Sequence, residues 1–159
     1  MTGRRPTAHL VHGYLGAGKT TFARRLESET GGVRLSIDEW YLRLYHDGVR
    51  THELNDEWLR RVWRVLDDLW PRLVFAGVDV VLDFGYRRRA ERNRARGLAE
   101  EVGADALLHW VRTPDEVARD RCVARAGADS FVVDSDAFEA LKMKFEPLGP
   151  DEDHVVYEG

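Results

Sequence analysis

The sequence predicts a three-layer α/β/α domain on a five-stranded, mainly parallel sheet. Three observations carry this. Short apolar runs alternate with longer segments of helical period, the pattern of strand–crossover–strand units. One of those runs, VDVVLD at 78–83, is almost wholly apolar, as a strand covered on both faces must be. The third is HGYLGAGKTTFA at 12–23, a glycine-rich junction between a strand-like and a helix-like segment. The chain has 159 residues, enough to bury a sizeable core as a single domain over 1–159.

The elements follow in order. AHLVH (8–12) reads as a buried strand, and TTFARRLESET as a helix ended by Gly31-Gly32. VRLSI (33–37) is the second strand and delivers Asp38 and Glu39 at its carboxyl end, with Glu39 expected to face solvent. The stretch EWYLRLYHDGVRTHEL reads as irregular, with a turn at Asp47-Gly48. A long helix begins at the N-cap Asn55, carries apolar residues at three- and four-residue steps, and should kink or restart at Pro71. The third strand, 78–83, leads into an arginine-rich helix, and ADALLHWVRT forms the fourth strand. PDEVARDRCVARAG is a helix, FVVDSDAFEALKMKFEPLG a loop and helix capped near Asp134 or Ser135, and HVVYE a fifth strand.

Composition narrows the function. The net charge is −4, and residues 127–159 carry nine acidic against two basic residues, so nucleic acid is a possible but not a favoured partner. A single cysteine, Cys122, excludes an internal disulfide framework and a Cys-based metal cluster. No apolar run reaches the length of a membrane span, and the first residues lack the long apolar region of a signal peptide, so no membrane role and a cytoplasmic location are expected.

Gly13 to Thr20 matches G-x-x-x-x-G-K-[ST], and it follows a strand and opens a helix as the chemistry requires. Backbone N–H groups of Gly13, Gly16, Ala17, Gly18, Lys19, Thr20 and Thr21 would cradle phosphates at the positive end of the helix. Lys19 would reach the β- and γ-phosphates and the Thr20 hydroxyl would ligate Mg²⁺. The expected fold is therefore a P-loop NTPase fold, with ATP and Mg²⁺ as cofactors. ALLHWVRTPDE holds no N-K-x-D-like base-reading motif, which argues against a switch GTPase.

The order GYLGAGKTT, SIDEW, VVLDFGYRRRAER, TPDEVARDRCVAR, FEPLGPDE resembles the small P-loop kinases. That group contains chloramphenicol phosphotransferase, zeta-toxin-like kinases and the kinase domain of polynucleotide kinases. The resemblance implies an ATP-dependent kinase acting on an alcohol group. Asp38 would accept the proton of the acceptor hydroxyl, its plain alternative being a helix N-cap. Asp83 would help to place Mg²⁺ or contact the acceptor. Arg121 and Arg125, four apart on one helix face, match lid arginines that neutralise the transferring phosphoryl group; their alternative is a solvated face paired with Asp120 and Glu116.

Six arginines crowd 87–96, a run expected to be mostly solvated surface, with Arg87 and Arg88 nearest the acceptor. Trp40 and Tyr41 would wall the acceptor pocket, and His46 and His52 read as loop residues. The favoured acceptor is a hydroxyl-bearing small molecule such as an antibiotic, sugar or nucleoside. The alternatives are the 5′-hydroxyl of a polynucleotide, and a nucleotide-binding regulatory module with no acceptor.

Overall fold

The computed structural model describes residues 3–45, 55–124 and 133–159. Strands β1 (Thr7–His12), β2 (Val33–Ser36), β3 (Val80–Gly85), β4 (Asp105–Arg112) and β5 (Val155–Glu158) form one sheet. The order is β2-β3-β1-β4-β5, with every pairing parallel. The helices are α1 (Lys19–Thr30), α2 (Ile37–Tyr45), α3 (Asp56–Phe75), α4 (Arg89–Glu101), α5 (Asp115–Ala124) and α6 (Ser135–Lys142). None of the described helices is long and apolar enough to cross a membrane.

The two-residue period of the strands sorts the core into two layers. Leu10, Val80, Leu82 and Leu108 meet Leu42 of α2, Val62, Leu66 and Trp70 of α3, and Ala95 of α4. Val11, Val81 and Val111 face the other way and meet Phe22 and Ala23 of α1. On that second face His9 and His109 hydrogen-bond across β1 and β4 at 2.9 Å, one nitrogen donating to the other. Burial lowers both imidazoles, His109 to about 4, so the pair is neutral at physiological pH.

Several expectations need correction. The segment after Asp38 is not irregular at its start: α2 forms at once, because Ile37, Tyr41 and Leu42 bury one face while Asp38 and Glu39 occupy its first turn. Its cap is the Ser36 hydroxyl, which accepts from the Glu39 N–H at 3.4 Å, so Asp38 is not serving as the N-cap. Glu39 does not face solvent; it is buried and ion-paired with Arg34 and Arg24. The turn at Asp47-Gly48 lies outside the described residues. Pro71 does not restart α3, which runs through it as one helix. Near the helix end its missing donor removes one bond, and fully buried Trp70 holds the turn in place.

The arginine run is solvated at Arg87, Arg88, Arg89 and Arg94, as expected, but not throughout. Arg92 is fully buried and grips Glu152 through Nε and Nη2 at 2.7 and 2.8 Å. It also donates to the carbonyls of Tyr86, Glu146 and Pro147. Arg89 pairs with Asp151, Arg94 with Asp67 and Arg96 with Glu152. Arg89, Arg92 and Arg96 thus tie α4 to the segment that follows α6, Arg94 ties it to α3, and the segment after α6 lays Phe145 on the rings of His12 and Tyr14.

Candidate nucleotide and phosphoryl-transfer site

Parallel strands bring their carboxyl ends to one edge, and the β1-to-β2 and β3-to-β4 connections run to opposite sides of β1. Ligands of open sheets bind at such a reversal. The Gly13–Lys19 loop sits there. Gly16 has φ +72°, and a Cβ on it would stand 2.1 Å from the Ala118 carbonyl oxygen, so only glycine lets α5 close on the loop. Gly18, at φ +94°, opens α1, and a Cβ there would lie 3.7 Å from Nη1 of Arg121. Ala17 is buried, and its carbonyl accepts from the Thr113 hydroxyl at 2.8 Å. The Lys19 ammonium donates to the Tyr14 carbonyl at 2.6 Å. Its stem passes over Gly85 at the end of β3, where a Cβ would be 3.7 Å away.

Thr20, in the first turn of α1, donates its hydroxyl to Oδ2 of Asp83 at 3.0 Å. Burial raises the Asp83 carboxyl, and Lys19, the Thr20 bond and Arg34 pull it back down. A hydroxyl beside a carboxylate is a hard-oxygen donor set that fits Mg²⁺. Among the described residues no cluster of three or more His, Cys, Asp or Glu could cage a metal. Magnesium characteristically takes one or two protein oxygens and completes its shell with phosphate and water.

Asp38, in the first turn of α2, is exposed to solvent. Desolvation by the surrounding protein and the neighbouring Asp83 push its carboxyl up to about 6, against Lys19 and Arg87, which lower it. The sequence-predicted base, metal-side carboxylate and phosphate lysine are therefore electrostatic neighbours.

Arg121 stands over the loop end, and among the described residues no carboxylate pairs with it. The expected partners Asp120 and Glu116 do not engage it. Cys122 is a small buried residue against Gly16. A cavity of about 450 Å³ opens between Gly18, Thr21, Phe22 and Arg25 on α1, Arg121 and Ala124 on α5, and Tyr157 and Gly159 at the end of β5. Arg25 stacks on the Tyr157 ring at 4.6 Å. Arg87 and Arg88 are exposed at the end of β3 and pair with no described carboxylate. Tyr41 is buried in the main core with its hydroxyl accepting from the Asn55 N–H, and Trp40 packs partly buried against that core. Arg125, His46 and His52 lie outside the described residues.

The sequence reading passed over three features. Tyr157 and Arg25 carry no motif, and their place beside the loop depends on β5 joining the sheet edge. Arg34 is in a strand whose pattern shows only alternation.

Sheet order, loop geometry and the Thr20–Asp83 pair define a P-loop domain of kinase-like fold. A family model described as an AAA domain matches residues 9–148, and the chain belongs to that family. No curated protein matches the sequence. A putative kinase from Chloroflexus aurantiacus superposes with a TM-score of 0.75 at 15% identity, over 98% of this chain and 89% of that one. A sugar kinase from Janibacter sp. gives 0.66 at 22%, over 96% and 85%. A chain of the Pnkp1/Rnl/Hen1 RNA repair complex gives 0.73 at 20%, over 90% of this chain but 45% of that one. At these identities the likeness establishes the fold, and it agrees with the resemblance to the small P-loop kinases.

Proposed function

We propose that the protein is an ATP-dependent phosphotransferase that moves the γ-phosphate to a hydroxyl of a small molecule. One observation carries this: an accessible carboxyl, Asp38, at the carboxyl end of β2, is an electrostatic neighbour of the phosphate lysine and of Asp83, which raises its affinity for protons. A purely nucleotide-sensing domain has no use for such a group, whereas a hydroxyl needs a proton acceptor of this strength near neutral pH.

In the reaction, the loop amides and Lys19 hold the β- and γ-phosphates. The acceptor oxygen attacks γ-phosphorus, its proton passes to Asp38, and the bond from γ-phosphorus to the bridging oxygen breaks, leaving ADP. Arg121 neutralises charge on the moving phosphoryl group. Thr20 and Asp83 would hold Mg²⁺, which would supply further positive charge to the phosphate oxygens. The cavity between α1, α5 and β5 suits the nucleobase, which would stack on Tyr157 and the arginines.

The small-molecule acceptor is favoured over a polynucleotide because four of the six arginines at 87–96 are consumed by internal carboxylates. Arg87 and Arg88 remain, too short a basic track for a nucleic-acid backbone. A sugar kinase and a chain of an RNA repair complex share the fold, so both acceptor classes belong in the test. The experiment is a transfer assay with γ-labelled ATP against sugars, nucleosides, antibiotics and 5′-hydroxyl oligonucleotides. Label on a small molecule is expected. Label on the oligonucleotides alone, or ATP binding with no transfer to any acceptor, refutes the reading.

A further inference from the structure

Arg34 is a buried cation outside the catalytic steps above. Its side chain is 11% exposed, and it lies on β2 opposite Val81, while Ser36 is opposite Asp83. The strand period puts the side chains of Arg34 and Asp83 on the same, α1-facing side of the sheet. Nη2 donates to both oxygens of Glu39, each at 2.8 Å. Nη1 lies 3.5 Å from Oδ2 of Asp83, the same oxygen that accepts from Thr20. Nε and Nη1 form no hydrogen bond although both are buried. Glu39 also takes Arg24 of α1 at 3.3 Å. One planar fork therefore spans two buried carboxylates, while its Nε also lies 3.7 Å from Oε2 of the partly exposed Glu27 on α1. Of the buried two, one stands beside Asp38 on α2, and the other completes the Thr20 pair on β3.

Buried donors are ordinarily satisfied, and a lone ammonium in place of the fork could not meet both carboxylates in fixed directions. We infer that Arg34 is a positioning residue: it orients Asp83 toward the Thr20 side of the nucleotide site and locks α2, with Asp38, in register with that metal-side pair. This rests on the nucleotide site of the proposed function but not on the acceptor. The side chain of Arg34 meets carboxylates of the fold itself. Its effect runs through Asp83, as partners of metal-binding groups commonly act.

The test is calorimetric binding of ADP, once in EDTA and once in excess Mg²⁺, so that the gain in affinity from the metal is read separately from nucleotide affinity. Arg34→Gln/Glu39→Gln removes the cation and its main anion together, which avoids stranding Glu39. It should bind ADP in EDTA like the parent and lose about 10–100-fold of the Mg²⁺-dependent gain, the usual cost of removing such a partner. Arg34→Lys keeps the charge without the fork, and should show the same kind of loss while folding as the parent does. An unchanged metal gain in both variants, or a fall in both affinities by one factor, overturns the inference and makes Arg34 a packing residue. Full metal gain in Arg34→Lys overturns it too, since charge alone would then suffice. If the parent binds no ADP, the nucleotide reading fails first and takes this inference with it.

Discussion

Replacing Arg92 by alanine takes the main partner from Glu152 and leaves it the Gly149 N–H and a 3.4 Å contact to Arg96. The pair is fully buried, with the Arg92 and Glu152 side chains 0% and 1% exposed. Arg92 also satisfies the carbonyls of Tyr86, Glu146 and Pro147, so its loss leaves a buried carboxylate and three acceptors without this donor. Breaking one side of a buried, hydrogen-bonded pair costs about 3–5 kcal/mol. For a chain of this length each kcal/mol moves Tm by about 2–4 °C, so a fall of roughly 6–20 °C is expected. The sign with pH follows from Glu152, whose carboxyl is held down at about 2, first by its bonds to Arg92. A depressed acid stabilises the fold above its unfolded pKa, and that stability is lost as pH falls toward 2. The parent should therefore lose stability between about pH 4.5 and pH 2, and Arg92→Ala should lose less of it. Urea titration of the parent, of Arg92→Ala and of Arg92→Met/Glu152→Met reads this directly. The double variant should recover much of the loss, because an apolar replacement removes the buried charge. A loss below about 1 kcal/mol in Arg92→Ala with unchanged m-value would refute the reasoning, since that is surface-like behaviour.

Lys19→Ala should weaken Mg·ATP by about 1.5–3 kcal/mol, the worth of a charged hydrogen bond, in a calorimetric titration. Asp38→Asn should leave ATP affinity nearly unchanged and lower kcat by about 10²–10⁴-fold on the acceptor that the transfer screen identifies. The parent's rate should rise with pH through about 6 as Asp38 ionises, a limb that Asp38→Asn should lack. Gly16→Ala should abolish nucleotide binding in the same titration, because its Cβ would stand 2.1 Å from the Ala118 carbonyl oxygen in a left-handed conformation.

Local signals were legible in the sequence, and long-range ones were not. The strands and the phosphate loop announce themselves through apolar runs and glycine spacing, so β1, α1 and β3 came out close to their observed bounds. Asp83 was legible because it follows an apolar run, although β3 continues past it to Gly85, and its bond to Thr20 follows from both standing near the same sheet edge. Arg92 was not legible. Its partner is 60 residues away, and a charged residue in a helix looks the same whether it meets water or a buried carboxylate. Glu39 failed for the same reason, since its burial depends on Arg34 of β2 and Arg24 of α1. The start of α2 failed differently. A run rich in aromatics has modest helix propensity, and its helicity comes from burying Tyr41 and Leu42 against α3 and the sheet.

Asp38 joins the stability and the chemistry of the site. A carboxyl raised to about 6 favours the fold while protonated, and that contribution is present at acid pH and lost as pH rises through 6. At neutral pH the native state therefore carries an anion that its surroundings and Asp83 both oppose. Nothing in the packing of α2 requires this, because Ser36 caps the helix and Tyr41 and Leu42 anchor it. Asparagine is nearly the same shape and would remove the opposition. Asp38→Asn should accordingly raise Tm above pH 6 and leave it unchanged at pH 4, in the same variant whose turnover is expected to fall. Groups kept at a cost to stability mark places where function sets the residue. Stability and turnover moving in opposite directions would separate a base from a surface carboxylate, for which both would stay still.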